Sequence, residues 1–183
     1  MRKIFLSGIA CALFALPGNA HASGPWDFLL APESACPGQT DASLPSSRQV
    51  QIMSCMHNWA RAQEGSAGVR VSRQLRASAA RKARDIKRCQ QFSHSACGRS
   101  TFYWPLHFGF FKGSAGLGED LALASGGPPT VRDIESIWLN SDEHRAVMLN
   151  PDYDLSGTGR VTGDFHGYAS TAIWVAYFGY HHR

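Results

Sequence analysis

At 183 residues, 44% hydrophobic and 17% charged, the chain holds enough apolar material for one domain, at most two, with a real core, and is excluded from the class of disordered tails. Its net charge of +4 includes Arg2 and Lys3 of a leader segment, and the small excess left without them is too little for a nucleic-acid binder.

The leader comes first. Arg2 and Lys3, the apolar run from Ile4 to Leu16, Pro17-Gly18 and the small-residue site Ala20-His21-Ala22 predict a cleaved secretory signal over residues 1–22. Cys11 is not read as a lipid anchor, because Gly8 stands where an aliphatic residue is needed. No later run reaches the roughly 18 apolar residues of a membrane helix. The mature chain is therefore expected to be secreted or periplasmic, not membrane-spanning. Four cysteines remain in it, an even number suited to an oxidising compartment. They allow three pairings, of which Cys36 with Cys55 and Cys89 with Cys97 close the short loops between neighbouring elements. No C-x-x-C spacing supports zinc in their place.

Residues 23–47, rich in Pro, Ser, Gly and Ala, read as an irregular leader that Cys36 fastens to one domain over 48–183. From Arg48, Ile52, Cys55, Met56, Trp59 and Gln63 form a helical stripe that ends near Gly65. Ser72 is the N-cap of a second helix, with Leu75, Ala79, Ala83 and Ile86 inward, running to about Cys89. Between Arg70 and Arg88 eight basic residues face one acid, Asp85; this cluster reads first as a solvated helix face and second as a contact for an anionic surface. Residues 90–129 hold no long period and predict loops with short helical pieces. Thr130 with Asp133 forms a capping box for a third helix through Ile134, Ile137, Trp138 and Ser141, and a further turn spans Asp142 to Leu149 before Asn150-Pro151. Leu155–Val161 and Tyr168–Phe178 read as two antiparallel strands joined through residues 162–167. Helices first and a hairpin last make the class α+β.

Three places carry candidate chemistry. His94 lies in the loop that Cys89 and Cys97 would close, where a disulfide would hold the imidazole still; taken alone, such a histidine is more often structural. Glu119 follows Gly116-Leu117-Gly118 and suits a ligand or general base, or equally a cap on backbone amides. In Ser141-Asp142-Glu143-His144-Arg145, helical spacing puts Ser141 and His144 on one face and turns Glu143 away by roughly 100°. There is no H-E-x-x-H, no G-x-S-x-G elbow and no phosphate loop.

Taken in order, Met56-His57-Asn58-x-x-Arg61, Phe92-Ser93-His94, Gly118-Glu119-Asp120, Trp138-x-x-Ser141-x-x-His144-Arg145, Gly157-x-Gly159 and Trp174-Val175-Ala176-Tyr177-Phe178-Gly179 resemble the bacterial branch of the CAP superfamily, the SCP-like domain shared by cysteine-rich secretory proteins, venom allergens and plant pathogenesis-related proteins. The similarity covers about Val50 to Gly179. It implies a three-layer α-β-α sandwich around an antiparallel sheet, with a cleft where His94, Glu119 and His144 converge and where some family members hold a divalent metal such as zinc. Ser141 and Asp120 are secondary cleft candidates. The chain departs from the family pattern: Asp120 replaces the usual asparagine and would either strengthen a cation site or repel its neighbour and raise a pKa. Ile173 and Ser141 stand where eukaryotic members carry a second histidine and a second glutamate.

The function expected from this resemblance is a secreted, non-catalytic, monomeric binding protein. Its partner would be a lipid, a sterol or another envelope component, in a groove lined from Phe102, Tyr103, Trp104, Phe108, Phe110 and Phe111, most of which also suit an ordinary core. Two rivals stand beside it. One is a metal-dependent, peptidase-like hydrolase in which His94, Glu119 and His144 hold zinc and its water. The other is an envelope-associated adhesive or structural protein that uses the basic second helix.

Overall fold

The computed structural model describes residues 24–111 and 113–182, so the signal segment over 1–22, with Cys11, lies outside the described residues. The first helix, α1, is Ser46–Gln63. Its buried side holds Ile52, Met53, Met56 and Ala60 but also His57 and Arg61, while Gln63 is exposed and Trp59 only partly covered. The predicted stripe is therefore rotated. A purely apolar pattern cannot register two polar side chains that find partners inside.

The two-residue strand β1, Arg70–Val71, leads into α2, Arg73–Cys89. Ser72 caps α2 as expected, its hydroxyl accepting from Leu75 N at 3.3 Å, and Leu75, Ala79, Ala83 and Ile86 are all fully buried. A short helix α3, Tyr103–His107, follows. Residues 114–124 depart from the expected loops and form an eleven-residue strand, β2, Ser114–Ala124. Its glycines and alanines have low strand propensity, and they hide the alternation of Leu117, Glu119, Leu121 and Leu123.

Helix α4, Val131–Leu139, opens with the complete Thr130–Asp133 capping box. It stops before Ser141, which is extended (φ −104°, ψ 123°) and sits at the N-cap of α5, Asp142–Leu149. The third helix is thus shorter than predicted. Strands β3, Leu155–Phe165, and β4, Tyr168–His182, form the expected hairpin, but their connection shrinks to His166-Gly167. Both residues have positive φ, +50° and +82°, as a type I′ turn requires. Histidine is an unusual first residue for that turn, and this concealed it.

The sheet order is β1-β3-β4-β2, with β2–β4 and β3–β4 antiparallel and β1 parallel to β3. The sheet is therefore mixed rather than purely antiparallel, and only Arg70–Val71 makes it so. Ile173, Val175 and Tyr177 of β4 pack with α2 on one face. Trp174, Ala176 and Phe178 pack with α1 and α4 on the other. Helices thus cover both faces in an α+β fold. Before α1, a 3-10 turn at Asp27–Leu29 sends Leu29 and Ala31 into the second of these cores, and the Cys36–Cys55 disulfide ties the segment to α1. The second disulfide joins Cys89 to Cys97.

Candidate functional site

β2 is an edge strand of the sheet. Alternation turns Glu119 toward α2 and Asp120 toward α4. His94 stands over Glu119, its Nδ1 2.6 Å from Glu119 Oε1; a carboxylate only accepts, so the imidazole nitrogen donates. The His94 side chain is 57% exposed and that of Glu119 is 1% exposed. The pair therefore sets an open imidazole on a buried acid. Thr101 Oγ1 donates to the same carboxylate oxygen at 3.3 Å, and Tyr177 O–H donates to Thr101 O at 3.0 Å. Burial first, and then Glu119, push the Tyr177 hydroxyl above its ordinary pKa, so it stays protonated. Glu119 Oε2 is buried and makes no hydrogen bond of normal geometry among the described residues, although the Tyr177 hydroxyl lies close enough for the carboxylate to act on it.

The loop bearing His94 is held from below by a residue that sequence reasoning placed on a solvated face. Lys82 of α2 is fully buried and donates to the main-chain carbonyls of His94 and, at 3.3 Å, Arg99. Burial lowers its pKa, while Glu119 and Asp85 pull it back up. Asp85, also buried, accepts from Arg88 at 3.0 Å, Arg99 at 2.9 Å and the Trp104 indole at 2.8 Å. The Cys89–Cys97 bridge and these two inward charges of α2 fix the loop. Only their place at heptad-like spacing among arginines could have flagged them.

His144, on α5, comes close enough for His94 to lower its pKa, although burial is the larger cause; Glu143 works in the opposite sense. Its Nδ1 is buried without a hydrogen bond. Ser141 makes no side-chain cap bond at the start of α5. The three carried-over residues are thus neighbours around one sheet edge, and of them His94 and Glu119 are joined by a hydrogen bond. Among the described residues no three His, Cys, Asp or Glu side chains converge as metal donors, and His94 and Glu119 spend a nitrogen and an oxygen on each other. The pairing engages His94 through Nδ1 and Glu119 through Oε1 and leaves the second nitrogen and the second oxygen outside it.

Asp120 takes the second of its two expected outcomes. It lies on the opposite face from His94, and neither carboxyl oxygen has a hydrogen-bond partner among the described residues. Burial first, then Glu135 and Glu119, push its pKa well above the ordinary Asp value. Folding therefore favours the neutral acid over the carboxylate. The stability this contributes is complete below the unfolded Asp range and drains away as pH rises through the raised value. Asp120→Asn is expected to raise the melting temperature at pH 7 by about 2–4 °C, the shift of a 1 kcal/mol gain in a chain of this size. That gain should vanish near pH 3, as thermal melts at the two pH values will show.

Most of the aromatic residues from Phe102 to Phe111 belong to the packing: Phe110 is fully buried, and Trp104, Phe108 and Phe111 are partly covered. Phe92, Phe102, Tyr103 and Leu106 remain exposed, at 46%, 47%, 42% and 59%. Phe92 lies two residues before His94, and Phe102 directly follows Thr101. Both present apolar surface to solvent.

Fold and site together define a disulfide-bonded α+β module with a His–Glu pair at its sheet edge. The chain belongs to the CAP, or cysteine-rich secretory protein, family, whose model matches residues 56–178. It is 30% identical over 151 residues to the uncharacterized protein YkwD of Bacillus subtilis, covering 81% of this chain and 54% of that one; the chain thus spans about half the length of this curated relative. In fold it is similar to an outer surface protein of Borrelia burgdorferi, with a TM-score of 0.61 and 19% identity over 76% of this chain and 97% of the other. It is also similar to an SCP-domain extracellular protein of Bacillus anthracis, with a TM-score of 0.57 and 20% identity over 74% of this chain and 43% of the other. Among the described residues no helix is long and apolar enough to cross a membrane.

Proposed function

We propose that this chain is an extracytoplasmic binding module whose sheet-edge cleft captures an amphipathic ligand by its polar head, without catalytic turnover. The observation that carries the reading is Glu119: one carboxylate oxygen is satisfied by His94 and Thr101, while the other is buried under an open imidazole and makes no hydrogen bond of normal geometry among the described residues. A buried acceptor left unmade is costly, and a ligand hydroxyl or amine would satisfy it. The exposed Phe92, Phe102 and Leu106 offer apolar surface for the rest of such a molecule. Export is supported by the family's description as secretory, by relatives described as outer-surface and extracellular proteins, and by the two disulfides.

The test is titration of exported protein with a monoacylglycerol and with the fatty acid of the same chain length. The hydroxyl head should bind, the carboxylate head should not, and Glu119→Gln should weaken binding about tenfold. Equal binding of both heads, unchanged affinity in Glu119→Gln, or no binding at all overturns the reading. A native mass spectrum of the same sample showing a stoichiometric metal that is lost in His94→Ala would replace it with the hydrolytic alternative.

A further inference from the structure

A cleft of about 460 Å3 opens at the opposite edge of the sheet from Glu119, where the first turns of α1 and α2 meet the outer edge of β3. Arg73, Arg76 and Arg84 of α2 and Arg160 of β3 line it, and no acidic side chain does. Arg73, Arg76 and Arg84 are exposed, and none of them makes an ion pair among the described residues. Arg160 is held at one end, donating to Ser46 Oγ at 2.7 Å with its guanidinium 5.4 Å from the Trp174 ring centre. Helix α1 begins at this cleft without a side-chain cap, which leaves first-turn amides and the positive end of its dipole turned toward it.

The floor of the cleft is a strand edge. β1 covers only Leu155 and Ser156, and beyond them β3 has no neighbour on that side. The outward carbonyls at the two ends are taken, that of Ser156 by Ser72 N at 2.8 Å and that of Thr162 by Lys87 Nζ at 2.9 Å. Alternation places the main-chain groups of Thr158 and Arg160 between them, facing the same way, and these groups have no hydrogen-bond partner among the described residues. Thr158 also lines the cleft; the residue is 3% exposed and its buried hydroxyl makes no hydrogen bond among the described residues. An unpaired edge of this kind at the floor of a cleft is a template for strand addition.

We propose that an extended acidic polypeptide segment docks here as an added strand on β3. It would pair its backbone with Thr158 and Arg160 and place alternate carboxylates against Arg73, Arg76 and Arg84. Charge complementarity selects an acidic occupant, since four guanidinium groups meet no acid in the cleft. The strand edge selects a polypeptide: its free donors and acceptors recur every second residue, about 6.8 Å apart, the repeat of another extended backbone. A lipid headgroup or anionic glycan could pair with the exposed arginines but would leave those main-chain groups unmet. The β3 edge shares no residue with the His94 cleft, and either binding role can fail without the other.

The test uses a labelled peptide of alternating threonine and glutamate, about eight residues long, read by fluorescence anisotropy and by amide exchange in NMR. Binding should protect the Thr158 and Arg160 amides from exchange and weaken as salt is raised. It should fall at least about tenfold in Arg76→Glu/Arg84→Glu, whose exposed sites leave the near-ultraviolet circular dichroism unchanged. A peptide of the same charge N-methylated at alternate residues should bind at least about tenfold more weakly, because only its ladder hydrogen bonds are lost. Equal binding of the methylated peptide, binding without protection of Thr158 and Arg160, or no peptide binding while phosphatidylglycerol vesicles bind would each overturn the proposal.

Discussion

Arg61→Ala is expected to lower the unfolding free energy by about 3–5 kcal/mol, among the largest single effects in this chain. Arg61 is fully buried and has no carboxylate partner among the described residues. Its guanidinium donates only to main-chain carbonyls: Nε to Ala67 at 2.8 Å, Nη1 to Met148 at 2.8 Å and Asn150 at 2.9 Å, and Nη2 to Tyr153 at 2.8 Å. Those carbonyls belong to the loop after α1, the end of α5 and the turn into β3. One side chain therefore joins the loop after α1 to residues 148–153, 87 to 92 positions further along the chain. Burial lowers its pKa, yet the group keeps its charge at any ordinary pH. Truncation removes four charge-assisted bonds and leaves four carbonyls in the interior. Arg61→Lys should recover only part of the loss, because a single ammonium cannot span the fork. Urea titrations of both variants measure this; a cost below about 1 kcal/mol for Arg61→Ala would mean that water replaces the guanidinium.

Local signals in the sequence are legible where the structure is local. Ser72 before an apolar period, Thr130 with Asp133, and Asn150-Pro151 each fix a helix boundary through a contact within four residues, and α2, α4 and α5 begin or end there. The short spacing of Cys89 to Cys97 and of Cys36 to Cys55 is local too, and both bridges form. β2 is illegible because Gly116 and Gly118 face tight neighbours rather than a turn, so the residues that usually break strands are here required by packing. Lys82 and Asp85 are illegible for another reason. Their charge assigns them to solvent in any composition argument, and only the His94 and Arg99 carbonyls, the Arg99 guanidinium and the Trp104 indole offset the cost of burial. His94 and Glu119 stand out as candidates, but their contact across 25 residues, and the support from Thr101 and Tyr177, are tertiary facts without a spacing rule.

Gly159→Ala is expected to cost about 3 kcal/mol or more and to disturb the His94 site from the far edge of the sheet. A Cβ at Gly159 would stand 2.3 Å from Ala80 N and 2.4 Å from Ala79 C, and one at Gly157 would stand 2.2 Å from Arg76 N. These are backbone atoms of α2, so no rotamer change can relieve the contact. The Gly157-x-Gly159 motif is thus the surface on which α2 lies directly against β3, and an added methyl must push the helix off the sheet. Gly116→Ala is the control: its Cβ would meet the Tyr180 ring at 2.4 Å, a side chain that can turn away, so its cost should be smaller. The consequence for function runs through the same helix. Lys82 holds the His94 and Arg99 carbonyls from α2, and the Cys89–Cys97 bridge starts at its last residue. A displaced α2 therefore carries the His94 loop away from Glu119, whose own position on β2 is unchanged. Exchange-broadened or shifted His94 ring resonances in Gly159→Ala, with those in Gly116→Ala left as in the parent, would establish that coupling; identical His94 signals in both variants would show that the loop is held independently of where α2 sits.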